Sequence, residues 1–243
     1  MYGFPRTSVR EPIARRPQYT FEPRAYGALA WWMNALLSPV VPTDSPPAIT
    51  SLRDLSGNGR TLTPFTPTRG YLIADGWEGW PVISLGPAAY LGGMPPITGA
   101  ASRTMAIVAC PTARDDAFRS MISFGTSAGN GLFALGMTNS NLLSLNNASS
   151  NFTSSSTPSL GVPALYGATY DGTILRIYIN GSVVHAAAAT MNTGSGGLGL
   201  GYRTSYNDLI GGYLTWDAMI WSTAISEATM AAMAADLRAM YRF

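Results

Sequence analysis

Side chains suited to acid–base or nucleophilic chemistry are scarce in this 243-residue chain. It holds one histidine, one cysteine, no lysine and four glutamates, Glu11, Glu22, Glu78 and Glu227. Glycoside hydrolysis needs two carboxylates flanking the scissile bond, about 5–5.5 Å apart for retention, and the glutamates are scattered rather than paired. A Ser/His/Asp triad would have to use His185, just past a hairpin turn, where nothing places a serine and an aspartate beside it. One histidine and one cysteine cannot assemble a Cys/His zinc site. Cys110 closes the apolar run Met105-Ala106-Ile107-Val108-Ala109-Cys110, where a small buried hydrophobe is expected. The run Gly194-Ser195-Gly196-Gly197-Leu198-Gly199-Leu200-Gly201 lacks the Lys-Ser/Thr ending of a phosphate loop. Asp115-Asp116 reads as a solvated turn. No catalytic residues are expected.

Binding chemistry has more material. Trp77, Trp80, Trp216 and Trp221 could stack on sugar rings through their apolar faces, although six tryptophans in a domain of this size can equally fill a core. A sugar site also needs polar groups converging in a cleft. All 15 basic residues are arginine, which suits bidentate, partly buried contacts and which codon bias also produces. Arg6, Arg10, Arg15, Arg16 and Arg24, against Glu11 and Glu22, give the first 24 residues a net +3. With +2 overall, the rest is −1. That balance does not make the one-faced basic footprint of a nucleic-acid binder.

The elements that must position these residues follow from the patterning. Hydrophobic residues are 47% of the chain and charged residues 12%, which excludes a disordered polymer and a coiled coil. Residues 1–24 carry Pro5, Pro12, Pro17 and Pro23 without apolar periodicity, so an extended arm is expected there. From Ala25 on, short apolar runs alternate with Gly, Asn, Asp and Pro. Examples are Thr104–Ala109, Arg119–Phe124, Gly131–Met137, Ala164–Tyr170, Ile174–Ile179 and Leu214–Trp221, the pattern of a sandwich or barrel. Asn180-Gly181 predicts a type I′ hairpin with alternating faces on Ile174–Ile179. The Ser/Asn/Thr stretch 144–161 reads as a solvent-facing strand or long loop. A helix over about 226–242 is predicted from a Ser226 cap and the stripe Met230, Met233, Ala234, Leu237 and Tyr241. No run reaches the 18 apolar residues of a membrane span, and neither a signal peptide nor membrane insertion is expected.

Three stretches together resemble the laminin-G-like branch of the concanavalin A-like jelly rolls. They are Trp31-Trp32 followed by Asp54-Leu55-Ser56-Gly57-Asn58-Gly59-Arg60, the segment Tyr166–Gly172 through Tyr178-Ile179-Asn180-Gly181, and Gly212-Tyr213-Leu214 through Ala218–Ser226. The resemblance covers roughly residues 28–243. It implies an all-β fold, a two-sheet antiparallel sandwich over 25–243, with the arm at 1–24 and a short helix at the end. Glucanases of this fold carry an E-x-D-x-x-E strand that has no counterpart here. Many relatives hold calcium at the sandwich rim. Asp54, with Asn58 beside it, is the one matched ligand position, while Trp216 stands where relatives often have an acid, with Asp217 next to it. An Asx-type turn is the other use for Asp54, and otherwise no cofactor or metal is expected.

The functional expectation is a non-enzymatic component of a bacteriophage virion: a capsid decoration, head fibre or tail-fibre module. It would be docked on other virion proteins through Arg6, Arg10, Arg15, Arg16 and Arg24, and would form a homo-oligomer within the assembly. Its jelly roll would face outward and bind host-surface glycans. The alternative is a free carbohydrate-binding module, and after it a degenerate glycan hydrolase.

Overall fold

The computed structural model describes residues 19–40, 48–65, 70–85, 90–113, 118–203, 208–209 and 212–243. Two antiparallel sheets lie face to face. The larger sheet runs, edge to edge, through Ser182–Ala188, Ile174–Ile179, Ala164–Tyr170, Arg103–Pro111, Tyr213–Trp221, Trp80–Ser84 and Tyr71–Trp77, with Leu29–Asn34 also pairing with Tyr213–Trp221. The smaller sheet runs through Asn151–Thr153, Leu143–Asn146, Leu132–Met137, Arg119–Gly125, Leu198–Leu200, Tyr90–Gly92 and Thr63–Pro64. The fold is the all-β jelly-roll sandwich that the sequence implied.

The turns are made as their residues require. Asn180 (φ 51°) and Gly181 (φ 83°) both take the left-handed conformation of a type I′ turn. Leu175 and Ile177 are buried between the sheets, and Tyr178 on the opposite face. The glycine-rich run serves close backbone passage. A Cβ at Gly196 would lie 2.0 Å from the Gly125 carbonyl oxygen, and one at Gly197 would lie 2.2 Å from that of Gly92. The Ser/Asn stretch is solvent-facing over most of 148–161, with Asn151–Thr153 as a half-exposed edge strand, but its start is not. Leu143–Asn146 is fully buried, and Ser144 spends its hydroxyl on the Phe152 carbonyl (3.1 Å). Strand pairing recruited this segment because Leu143 and Leu145 alternate into the core.

The larger sheet has a second core on its outer face. A helix, α1 (Glu227–Tyr241), is capped by the Ser226 hydroxyl on Thr229 N (3.1 Å) and buries Met230, Met233, Ala234, Leu237 and Tyr241. Beside it lies a lead segment of residues 19–26, ending in the 3₁₀ turn Pro23–Tyr26. Phe21 and Pro23 of this lead are buried. The tryptophan indole of Trp221 donates to the Pro23 carbonyl (3.0 Å). Packing therefore begins by Tyr19, inside the stretch whose composition suggests an arm to Arg24. Arg6, Arg10, Arg15 and Arg16 lie outside the described residues, as do Asp115 and Asp116.

Candidate functional site

Along one side of the last strand, Trp80–Ser84 pairs with Leu214 and Thr215, and Leu29–Asn34 pairs with Asp217 through Trp221. Both neighbours cannot continue, so the sheet forks at Trp216. The Trp216 carbonyl accepts from Ala35 N (2.7 Å) at the fork. On the other side of the strand, the register with Arg103–Pro111 shifts between Thr215 and Asp217. A bulge of this kind lets two successive side chains share a face, and Trp216 and Asp217 both turn to the outer layer.

A cleft of about 220 Å³ opens beside the fork, lined by Ala35, Leu36, Leu72, Ala74, Asp75, Gly79, Trp80 and Pro81. Its walls are apolar, and the exposed Asp75 carboxylate is the one charge in the lining. Asp75 has neither an ion pair nor a hydrogen bond among the described residues. The Trp77–Trp80 hairpin that shapes the rim turns on Glu78 (φ 49°) and Gly79 (φ 78°). Chemically, the cleft can take a small group with an apolar face and a hydrogen-bond donor for Asp75.

Asp217, next to the fork, is fully buried and accepts from four side chains. Oδ1 receives Tyr19 Oη (3.0 Å), Trp32 Nε1 (3.1 Å) and Asn34 Nδ2 (3.0 Å), and Oδ2 receives Tyr241 Oη (2.5 Å). Burial pushes its carboxyl above the ordinary carboxylate range, against the pull of those hydrogen bonds. Burial also raises the Tyr19 and Tyr241 phenols, helped by the adjacent Asp217, so both remain donors. With its acceptor positions taken by N–H and O–H groups, Asp217 is not arranged for a cation.

The other positions singled out from sequence fall as follows. Asp54 spends its carboxylate on turn amides: Ser56 N (2.9 Å) and Trp32 N (3.3 Å) donate to Oδ1, and Arg60 N (3.0 Å) donates to Oδ2. Asn58 Nδ2 is directed at Ala30 O (3.0 Å). The motif is thus an Asx-type splice that ties the turn to the first strand. No group of three His, Cys, Asp or Glu residues that could hold a metal occurs among the described residues. Arg24 pairs with Glu22 (3.1 Å) and donates to the Leu55 carbonyl (2.8 Å), which staples the lead to the same turn. His185 lies on an edge strand with Nε2 buried and unpartnered, its ring 6.5 Å from Phe152. Cys110 is buried, and burial pushes its thiol up to about 11, which makes it unreactive.

Five of the six tryptophans are at most 6% exposed, and only Trp77 is half-buried. Trp80 therefore shapes the cleft wall without offering an open stacking face, and Trp216 and Trp221 are core residues. Sequence reasoning missed Asp75 and the role of Asp217. For Asp217 a signal existed, a lone acid within the otherwise uncharged strand Tyr213–Trp221. For Asp75 there was none, because the cleft arises from the fork.

No family model and no curated protein matches the chain. Solved structures do. Domain 4 of AbnA, an extracellular arabinanase from Geobacillus stearothermophilus solved in complex with arabinotriose, superposes with a TM-score of 0.65 at 14% identity. That match covers 86% of this chain and 99% of the domain. The binding domain of Paraclostridial Mosquitocidal Protein 1 gives 0.61 at 12% identity, over 86% of this chain and 52% of the other. A Trypanosoma rangeli sialidase gives 0.60 at 7% identity, over 88% of this chain and 33% of the other. At these identities the likeness is one of fold. The chain is a jelly roll. It spans one whole arabinanase domain, half of the mosquitocidal fragment and a third of the sialidase, so it resembles a module of those larger proteins.

Proposed function

We propose that this jelly roll is a non-enzymatic glycan-binding module whose ligand enters the cleft at the fork of the larger sheet. The observation that carries the reading is the match to the complete arabinanase domain, which was solved with an oligosaccharide. The cleft supports it: Leu72, Ala74 and Pro81 suit the C–H face of a sugar, and the exposed Asp75 carboxylate, unpartnered among the described residues, accepts hydroxyl hydrogens. Hydroxyl donors fixed by a few placed polar groups within an apolar wall are the usual basis of small-ligand recognition. His185, the buried Cys110 and the engaged Asp54 offer no nucleophile with its base, which supports binding without turnover.

The test is calorimetric titration of the full chain with arabinotriose, followed by a panel of other oligosaccharides, on wild type and Asp75→Ala. The expected result is binding to at least one oligosaccharide, lost in Asp75→Ala, with no product formed on long incubation. Binding that survives Asp75→Ala would move the site off the cleft. Silence across the panel would sink the glycan reading.

The setting we propose is the surface of a bacteriophage particle, with the arginine-rich chain ahead of Tyr19 as the attachment to other virion proteins and copies of the module arrayed together. Its support is the sequence: Arg6, Arg10, Arg15 and Arg16 among prolines, ahead of a sandwich whose one cysteine precludes an internal disulfide. Co-purification with particles, abolished by replacing these four arginines with alanine, is the expected outcome. A chain never found on particles would refute the setting and leave the glycan reading to its own test.

A further inference from the structure

The outer layer has two pieces from opposite ends of the described chain, and they meet at one atom group. Tyr19 of the lead and Tyr241 of α1 both donate to Asp217, on a strand that belongs to neither. The remaining donors to that carboxylate, Trp32 and Asn34, come from the first strand, and Asn34 Nδ2 also reaches the Tyr241 hydroxyl (3.2 Å). A second pin joins the two pieces directly, where the Tyr26 hydroxyl donates to Asp236 of α1. Further contacts hold each piece separately. Arg176 of the hairpin meets Glu227 at the helix start (3.2 Å), the Trp80 indole donates to the Met240 carbonyl at its end (3.0 Å), and the Trp221 indole donates to Pro23 in the lead (3.0 Å). Beneath the layer lie Trp32, Trp80, Trp216 and Trp221.

We infer that the lead and the C-terminal helix open and close over the larger sheet as one unit, clasped by Asp217, while the core between the sheets stays closed. The physical reason is shared satisfaction. Lifting either piece strips one donor from the buried carboxylate and admits water to it. The other phenol then loses its reason to hold an acceptor that water now competes for, and buried networks of this kind gain or lose their members together. The inter-sheet core does not depend on that carboxylate: it lies on the far face of the sheet, its contacts are largely apolar, and the buried Arg103 there is satisfied by Gly99, Ala101 and Thr193 rather than by the outer layer. A load or partner on the chain ahead of Tyr19 is thereby linked to the seating of the helix end and to exposure of the four indoles. Proteins open sub-globally in contiguous units of this size.

Two indole protons report the two pieces separately. Trp221 Nε1–H is protected by the lead, and Trp80 Nε1–H by the helix end. Their exchange would be followed by NMR in the full chain, with the amides of Leu143–Asn146 as the inter-sheet reference. Tyr19→Phe and Tyr241→Phe each remove one hydroxyl without changing ring volume. The expected result is crossed: Tyr19→Phe accelerates the Trp80 probe, Tyr241→Phe accelerates the Trp221 probe, each variant speeds both probes by the same factor of about ten, and the reference amides do not change. Acceleration of only the nearer probe in each variant would show two independent flaps and overturn the proposal. Reference amides that accelerate in step with both probes would show a single global opening and overturn it equally. Asp217→Asn, which keeps an acceptor oxygen and adds a donor, provides a rescue-type control: it should perturb both probes together, and perturbation of one alone counts against the clasp.

Discussion

The two faces of the larger sheet are buried by different means. Toward the smaller sheet, residues such as Met105, Ile107, Ala168, Ile177, Ala218 and Ile220 interdigitate with Ile122, Phe124, Phe133 and Leu135, and alternation along each strand does the sorting. Toward the outer layer, the cover is an irregular segment and a helix, and its seating depends on one acid, two phenols, an amide and indole N–H groups. Sheet on sheet is matched by period, since both partners repeat every two residues. A helix with a 3.6-residue period and a segment with no period cannot match a sheet that way, so directional hydrogen bonds set their positions. The outer layer is therefore the more specific and the more fragile of the two.

The hardest blow to that contrast should be Asp217→Ala. It leaves Tyr19, Trp32, Asn34 and Tyr241 without their shared acceptor, at roughly 1–3 kcal/mol for each donor that water does not reach. We expect a loss of about 4 kcal/mol by denaturant unfolding, with tryptophan emission shifted to the red as the outer layer loosens. A loss below about 1 kcal/mol would mean that the acid is not the organising group.

Next come paired cavities. Leu135→Ala in the inter-sheet core and Leu237→Ala in α1, both fully buried, should each cost about 2–5 kcal/mol. The exposed Ala232→Ser should cost only a few tenths through helix propensity. If Leu237→Ala proves as mild as Ala232→Ser, the helix is not part of this chain's own core.

A smaller effect separates the layers by pH. Because the folded carboxyl of Asp217 titrates above its unfolded counterpart, the folded state binds more protons between those two values, and stability falls as pH rises. The slope has a ceiling of about 1.4 kcal/mol per pH unit for one proton. Asp171 acts with the opposite sign, since backbone and Arg176 hydrogen bonds hold its carboxyl well below the usual range, but it acts only in acid. Above the unfolded carboxylate value of about 4, then, wild type should lose stability with rising pH until the folded carboxyl ionises, and Asp217→Asn should not show that loss. Equal slopes in the two proteins would refute the assignment.

The smallest effect concerns the turn that ties the first strand. Asp54→Ala should cost about 1–2 kcal/mol, from turn amides losing a shared cap, a loss comparable to removing a helix N-cap. Calcium or EDTA should move the melting temperature of wild type by less than ~2 °C, since a ligand stabilises by mass action only if it binds. A calcium-dependent shift that vanishes in Asp54→Ala would restore the rim cation site.

Much of this molecule follows from sequence alone. The strands Ala164–Tyr170 and Ile174–Ile179 were legible to the residue, because Asn-Gly accepts two positive φ angles and the flanking apolar residues alternate. The stripe Met230, Met233, Ala234, Leu237 and Tyr241 was legible because a helix repeats its face regardless of its target. The Asp54 splice was open to either reading, since one carboxylate serves amides or a cation equally well in sequence. What tertiary structure decided is everything that depends on where unrelated strands meet. Tyr19 looks like part of a proline-rich arm until Asp217 supplies its acceptor 198 residues away. Asp217 reads as an interruption of an apolar strand until a bulge at Trp216 turns it to the outer layer. Asp75 becomes a candidate ligand only because two strands compete for one side of a third. Local periodicity encodes which face of an element is apolar, whereas the placement of a single polar group depends on partners brought together by the closed sandwich.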